Sequence, residues 1–160
     1  MIALQQTVPQ FEAVATHGTF DLATYRGKTL VLYFYPRDNT PGCTTQGAEF
    51  RDAYSAFKAA NTEIVGVSRD GLKTHQNFKK KMDFPFELIS DPDETLCLMF
   101  NVMKQKKMYG KDVRGIDRST FIIDENGILI HEWRSVKVPD HVAAVLQFVQ
   151  AHATQAHQSS

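Results

Sequence analysis

Apolar residues along the chain fall into runs and stripes whose period changes from segment to segment. Residues 29–35 (TLVLYFY) form a continuous apolar and aromatic run stopped by Pro36, the pattern of a strand buried on both faces. Ile64-Val65-Gly66-Val67-Ser68 is a shorter run of the same kind. Between them Phe50, Ala53, Tyr54 and Phe57 stand at i, i+3, i+4 and i+7, one face of a helix. Strand, helix, strand at this spacing is a βαβ unit, so the two strands should run parallel. A second helix is predicted over about residues 72–82. Farther on, Ser119 to Ile123 and Ile128 to Trp133 flank Asp124-Glu125-Asn126-Gly127, and Asn-Gly between two β-rich runs predicts a hairpin. Val142, Val145, Leu146 and Val149 then mark one face of a last helix over about residues 140–152. The order βαβ, α, β-hairpin, α is the minimal thioredoxin-like arrangement: an α/β fold with a central mixed sheet and helices on both faces. Residues 84–117 read as an insertion into it.

No repeat or Pro-, Gly- or Ser-rich linker divides the chain, and 160 residues fit one domain at about 150 residues each. Residues 1–152 are read as that domain, and 153–160, which turn polar, as a disordered tail. Lys plus Arg (18) balance Asp plus Glu (18), so no broad basic footprint for nucleic acid is present. No apolar segment approaches the roughly 18 residues of a membrane span. The first residues, MIALQQ, lack the basic and apolar stretches of a signal peptide, so a cytoplasmic location is expected. The six histidines show no HExxH or paired ligand spacing, and no metal site is expected.

Only two cysteines are present, Cys43 and Cys97, too few for a disulfide framework. Thr40-Pro41 ahead of Cys43 fits an N-cap and first helical position, with the Thr side chain accepting from an early amide. Cys43 then falls at the third helical position, where unpaired N–H groups and the positive end of the helix dipole favour a thiolate. That is not enough by itself. Moving a thiol from about 8.5 to about 6 needs about 2.5 units, or 3.4 kcal/mol. A helix terminus contributes about 0.3–1 kcal/mol, and about 2 at best. Partial burial opposes it. A cation beside the sulfur is required, and spacing does not choose among Arg26, Arg37, Arg51, Arg69, Arg114, Arg118 and Arg134. Gln46 occupies the position where a dithiol exchanger has its second cysteine, so thioredoxin-type disulfide exchange is excluded.

Pro36-x-x-x-Thr40-x-x-Cys43 resembles the peroxidatic motif of peroxiredoxins, and the string YFYPRDNTPGCTTQ resembles their bacterioferritin comigratory protein (peroxiredoxin Q) branch. The resemblance covers nearly the whole chain, from Val8-Pro9 through Leu88-Ile89-Ser90-Asp91 to Arg118-Ser119-Thr120-Phe121. It implies a thiol peroxidase without metal or haem. Cys43 would match the peroxidatic cysteine, Thr40 the hydroxyl that contacts peroxide and thiolate, Pro36 a shield over the sulfur, and Arg118 the activating cation. Without the resemblance, a surface ion pair would be the better reading of Arg118. The implied substrates are hydrogen peroxide and organic hydroperoxides, and the implied form is a monomer.

Many members of this branch carry a resolving cysteine five residues after the peroxidatic one, where this chain has Ala48. The favoured cycle therefore uses one cysteine and an external thiol, such as thioredoxin or glutaredoxin with glutathione. Cys97 is the one other candidate for resolution, against an inert buried thiol. Asp91-Pro92-Asp93-Glu94 before it reads as a capping box, and a bridge to Cys43 needs Cα atoms within about 7 Å. The Lys-rich segment 104–118 reads as a solvated loop. The competing function is a redox-sensing interaction protein switched by Cys43 oxidation.

Overall fold

In a computed structural model, which describes residues 2–158, the chain builds one seven-stranded mixed sheet and a separate two-stranded ribbon. A first hairpin joins β1 (Glu12–Ala15) to β2 (Gly18–Asp21), and a 3-10 turn (Leu22–Tyr25) leads into β3 (Thr29–Phe34). Then follow α1 (Pro41–Ala59), β4 (Thr62–Ser68), α2 (Leu72–Met82), β5 (Glu87–Ser90) and the short α3 (Thr95–Met99). The ribbon pairs β6 (Met103–Met108) with β7 (Lys111–Ile116). β8 (Ser119–Ile123), β9 (Leu129–Trp133) and α4 (His141–Gln158) complete the chain.

The sheet order is β2-β1-β5-β4-β3-β8-β9. β3 and β4 are parallel, as the βαβ reading requires, and β8 and β9 form the expected antiparallel hairpin. Every residue of β3 is buried, because this central strand has a packed layer on each side. Its alternate side chains divide the core. Val31, Tyr33 and Tyr35 face α1, α2 and α4 in a cluster with Cys43, Phe50, Phe57, Phe78 and Val145. Leu30, Leu32 and Phe34 face the opposite way, toward Phe11, Phe20, Leu96, Cys97 and Phe100.

Three expectations need correction. Residues 84–117 are not simply an insertion, because they supply β5, which lies inside the main sheet between β1 and β4. β5 is only four residues long, and Leu88 and Ile89 point to opposite faces, so no periodicity announces it. The Lys-rich segment is a β-ribbon rather than a loop. MKQKKM has no apolar face, since β6 is solvated along almost its whole length. The last helix continues past residue 152 to Gln158: Ala153 packs on the core, and the Thr154 hydroxyl donates to the Gln150 carbonyl. Ser159 and Ser160 lie outside the described residues.

Helix α1 approaches the segment after α2 through Gly47, which is buried. A Cβ added there would lie 2.5 Å from Phe84 Cζ. The Phe84 ring cannot swing aside easily, because it stacks on Phe86 at 4.8 Å and meets Phe78 edge-on at 5.2 Å. Gly47→Ala sets a helix-propensity gain of about 1 kcal/mol against overpacking that costs about 1–3 kcal/mol. Net destabilisation is expected, read as a lower urea midpoint at unchanged m-value; a raised midpoint would show that the Phe78–Phe84–Phe86 stack yields.

Candidate active site

The loop from Tyr35 to Thr40 crosses the end of β3 and delivers the chain into α1. The Tyr35 amide extends the parallel ladder by donating to the Val67 carbonyl at 3.0 Å, and Pro36 stops it. Asn39 turns with φ 64°, a conformation that Asn accepts more readily than most residues. Thr40 is the N-cap of α1 with extended backbone, and Pro41 is at the helix start, as expected. The Thr40 side chain departs from expectation. Its hydroxyl donates back to the Arg37 carbonyl at 2.8 Å and makes no cap bond to the helix. The hydroxyl therefore keeps only its lone pairs to offer another partner, and it does not occupy the first-turn amides of α1.

Cys43 lies in the first turn of α1 and is 2% exposed, in the same cluster as Tyr33, Tyr35 and Phe50. Tyr33 stacks on Phe50 at 4.6 Å and on Tyr35 at 5.4 Å, so the aromatic run of β3 does line the core around the thiol, with Phe34 on the other face. Of the seven arginines left open by spacing, Arg118 is the one that reaches the sulfur. Its Nη2 donates to Cys43 Sγ at 3.4 Å, and its Nη1 donates to Gln46 Oε1 at 2.5 Å. Most of the others have different tasks. Arg69 and Arg114 hold Glu94, Arg134 binds the Phe100 and Asn101 carbonyls, Arg26 the Asn126 carbonyl and Arg51 the Met82 carbonyl. Gln46 is fully buried, and its Nε2 is left without a hydrogen-bond partner. A buried unpaired donor beside the guanidinium is costly unless an oxygen arrives to use it.

Two neighbours are not legible in the sequence as site residues. Gly42 admits the guanidinium, since a Cβ there would lie 3.2 Å from Arg118 Nη2. His141, at the start of α4, shares a 2.8 Å hydrogen bond between its Nε2 and the Thr120 hydroxyl. Burial and then the Arg118 charge lower its pKa from 6.5 to about 4, so it is neutral at pH 7. A glycine next to a candidate nucleophile is a usable signal for the first; nothing in the spacing marks the second.

Cys97 is fully buried on the opposite face of the sheet from Cys43, and both thiols are free. The expected capping box does not form. Asp91 instead accepts from the Leu96 and Cys97 amides at 3.2 and 2.9 Å, while Glu94 takes a left-handed conformation and holds Arg69 and Arg114. Pro92 thus precedes the helix, which starts at Thr95. Burial raises the pKa of the Cys97 thiol strongly, and its hydrogen bond to Asp91 raises it further, so it is protonated and unreactive at pH 7. A resolving role for Cys97 would require α3 to unravel and the sheet to be bypassed.

Asp38, Asp70 and His75 bring possible metal-ligand atoms within 4.8 Å of one another, although no spacing in the sequence signals it. Their polar atoms are spent on each other and on Tyr35 and Ser68. The donor set fits a hydrogen-bonded network rather than a cation site.

Residues 4–132 match the AhpC/TSA family. The chain is 49% identical over 147 residues to peroxiredoxin Bcp of Bacillus subtilis, covering 91% of this chain and 94% of the relative. Among solved structures, a PrxQ cysteine-to-serine variant from Xylella fastidiosa aligns with TM-score 0.90 at 40% identity, covering 96% of this chain and 98% of that one. The bacterioferritin comigratory protein of Xanthomonas campestris, solved as trapped intermediate and ligand complexes bearing on its alkyl peroxide reduction activity, aligns with TM-score 0.85 at 46% identity, over 89% and 92% of the two chains.

The His141 shift has a consequence for stability. Between pH 6.5 and about 4 the unfolded chain binds a proton at this ring that the folded chain excludes. Stability should therefore fall as pH drops through that window, before most carboxylates titrate. Urea titrations at several pH values are expected to show this slope, and His141→Asn to flatten it. A wild-type curve already flat from about pH 6.5 to about 4.5 would contradict the assignment.

Proposed function

The chain belongs to the AhpC/TSA family, in its Bcp/PrxQ branch, and is a thiol peroxidase; from that premise we propose that Cys43 is the peroxidatic cysteine of a one-cysteine cycle. The observation that carries this reading is the 3.4 Å contact from Arg118 Nη2 to Cys43 Sγ at the start of α1. The guanidinium supplies the cation that a helix terminus alone does not replace, and it lies where negative charge moves during the reaction.

In the first half-reaction the Cys43 thiolate attacks the protonated peroxide oxygen, the O–O bond breaks, the hydrogen stays with the oxygen bound to sulfur, and the departing alkoxide or hydroxide takes a proton from solvent to leave as alcohol or water. Sulfur is oxidised to sulfenic acid and the peroxide is reduced. Arg118 stabilises charge on the leaving oxygen, and the free Nε2 of Gln46 is a second donor for an oxygen in the pocket. Thr40, its own hydrogen donated to the Arg37 carbonyl, can accept a hydrogen bond from the peroxide O–H. Pro36 is assigned the shielding role that the resemblance implies. Hydrogen peroxide and organic hydroperoxides are the proposed substrates, the latter in keeping with the activity studied for the Xanthomonas relative.

In the second half-reaction an external thiolate attacks the Cys43 sulfur and releases water, and a second thiol frees Cys43 while forming a disulfide outside the protein. Thioredoxin, or glutaredoxin with glutathione, is the proposed reductant class. Support for an external thiol comes from Cys97, buried behind the sheet and held protonated, and from Ala48, which has no sulfur to offer. A cytoplasmic monomer drawing on that reducing pool is part of the same proposal.

Cys43→Ser should abolish peroxide consumption coupled to a thiol reductant. Cys97→Ser should keep turnover within about twofold of wild type, since substitutions remote from the site that leave it intact change barriers by well under about 1 kcal/mol. Mass spectrometry after one equivalent of peroxide should find trappable sulfenic acid at Cys43. Stoichiometric Cys43–Cys97 disulfide, or full activity in Cys43→Ser, would overturn the cycle.

A further inference from the structure

Beneath the loop that carries Pro36 and Thr40 lies a buried polar network that none of the chemistry above uses. The side chains of Asp38 and His75 are both fully buried. Asp38 Oδ1 accepts from the Tyr35 hydroxyl at 2.6 Å, and Asp38 Oδ2 meets His75 Nδ1 at 2.5 Å. The Asp38 amide donates to Asp70 Oδ2 at 2.9 Å. A single loop residue is thus tied to β3 through Tyr35, to the turn after β4 through Asp70, and to α2 through His75.

The protons of this network can be placed from the acceptors. The Ile89 carbonyl, 2.9 Å from His75 Nε2, can only accept, so Nε2 carries a hydrogen. One further proton lies between Nδ1 and Asp38 Oδ2. Whichever atom holds it, the pair is neutral overall and both ring nitrogens are engaged. Ser68 sits 3.4 Å from Nε2, which gives an Asp–His–Ser sequence like that of a hydrolase. It is not one. The Ser68 hydroxyl donates to Asp70 Oδ2 at 2.5 Å and accepts from the Asp70 amide, and Ser68 is fully buried, so it has no nucleophile to present.

We propose that the Asp38–His75 pair is a positioning device for the peroxidase reaction: it latches the residue 36–40 loop in the closed, peroxide-reactive arrangement and must be released for reduction. The inference rests on Cys43 being the peroxidatic residue. With Cys43 2% exposed, a protein thiol needs an open line to the sulfur. The loop or the first turn of α1 must move to give it. Asp38 is the loop residue with the most bonds opposing that movement, and these bonds are buried, where hydrogen bonds are hardest to exchange for water. Loosening the latch therefore acts in opposite directions on the two half-reactions. Pro36 and Thr40 lose their placement, which slows oxidation, and the sulfenic acid becomes easier to reach, which speeds reduction.

His75→Leu and Tyr35→Phe test this, each in the full chain. The first removes the partner of Asp38 Oδ2, and the milder second removes the donor to Oδ1 alone. Single-turnover oxidation of Cys43 by hydrogen peroxide, followed by rapid quench and mass spectrometry, should slow about tenfold in His75→Leu, the scale of a misplaced reacting group, and less in Tyr35→Phe. Reduction of preformed sulfenic acid by thioredoxin should quicken in both. A parallel fall in both rates would mark a merely structural role and overturn the proposal, as would rates unchanged in folded variants. If His75→Leu does not fold, Tyr35→Phe decides alone. Wild type that fails to oxidise at Cys43, with Cys43→Ser as the control, would instead overturn the underlying peroxidase assignment.

Discussion

The site depends on one guanidinium brought to one buried sulfur. A thiolate in an apolar cluster is disfavoured by desolvation, and a helix terminus compensates only part of that. Arg118 brings its guanidinium to 3.4 Å from the Cys43 sulfur, and it does so from a different element, across 75 residues of sequence. The pairing of β8 with β3 is what delivers it. Phe34 pairs with Ser119 at the end of the antiparallel ladder, so Arg118 falls one step beyond, where β3 gives way to the loop into α1. Sheet register thereby sets the distance between cation and nucleophile. Gly42 leaves the room for their approach, and Gln46 takes the second arm of the guanidinium.

Strong periodicity makes several elements legible in the sequence alone: β3 and β4 as buried parallel strands, α1 and α2 as helices, and the Asn-Gly hairpin of β8 and β9. The elements that escape it share a physical reason. β5 is too short to show a period, and β6 and β7 are exposed except at the end that meets the core, Met103 and Ile116, so they write none. The site divides the same way. Cys43, Pro41 and the N-cap backbone of Thr40 are local features, and local sequence announces them. Which arginine meets the sulfur is a long-range fact, and only the family resemblance singles out Arg118. The Thr40 hydroxyl runs against expectation because a side chain at an N-cap has two directions available, and here the Arg37 carbonyl wins over the helix amides.

The two cysteines show how far environment separates identical groups. Both are buried and both are free. Cys43 faces the Arg118 guanidinium, whereas Cys97 faces the carboxylate of Asp91 with Glu94 nearby. A positive neighbour favours the charged thiolate, and negative neighbours with burial favour the neutral thiol. The nearest charge therefore has opposite sign at the two positions. The sheet between them then turns a chemical difference into a topological one.

Burial of the proposed peroxidatic sulfur creates a tension that the rest of the loop must resolve. In the proposed reaction, exclusion of water strengthens the Arg118 contact and holds the leaving oxygen among fixed donors. The same exclusion denies access to a reductant of protein size. A rigid closed site would oxidise once and stop; a loose one would reduce easily but place its donors poorly. The observed loop lies between these limits in a specific way: Thr40 and Pro36 are exposed to solvent in part, while Asp38, between them, is anchored in the interior by Tyr35, His75 and Asp70. Rigidity is concentrated in one residue of the loop rather than spread along it. A loop held at one point can move as a unit once that point is released, so under the proposed latch the free energy of a few hydrogen bonds would set how turnover is shared between the two half-reactions.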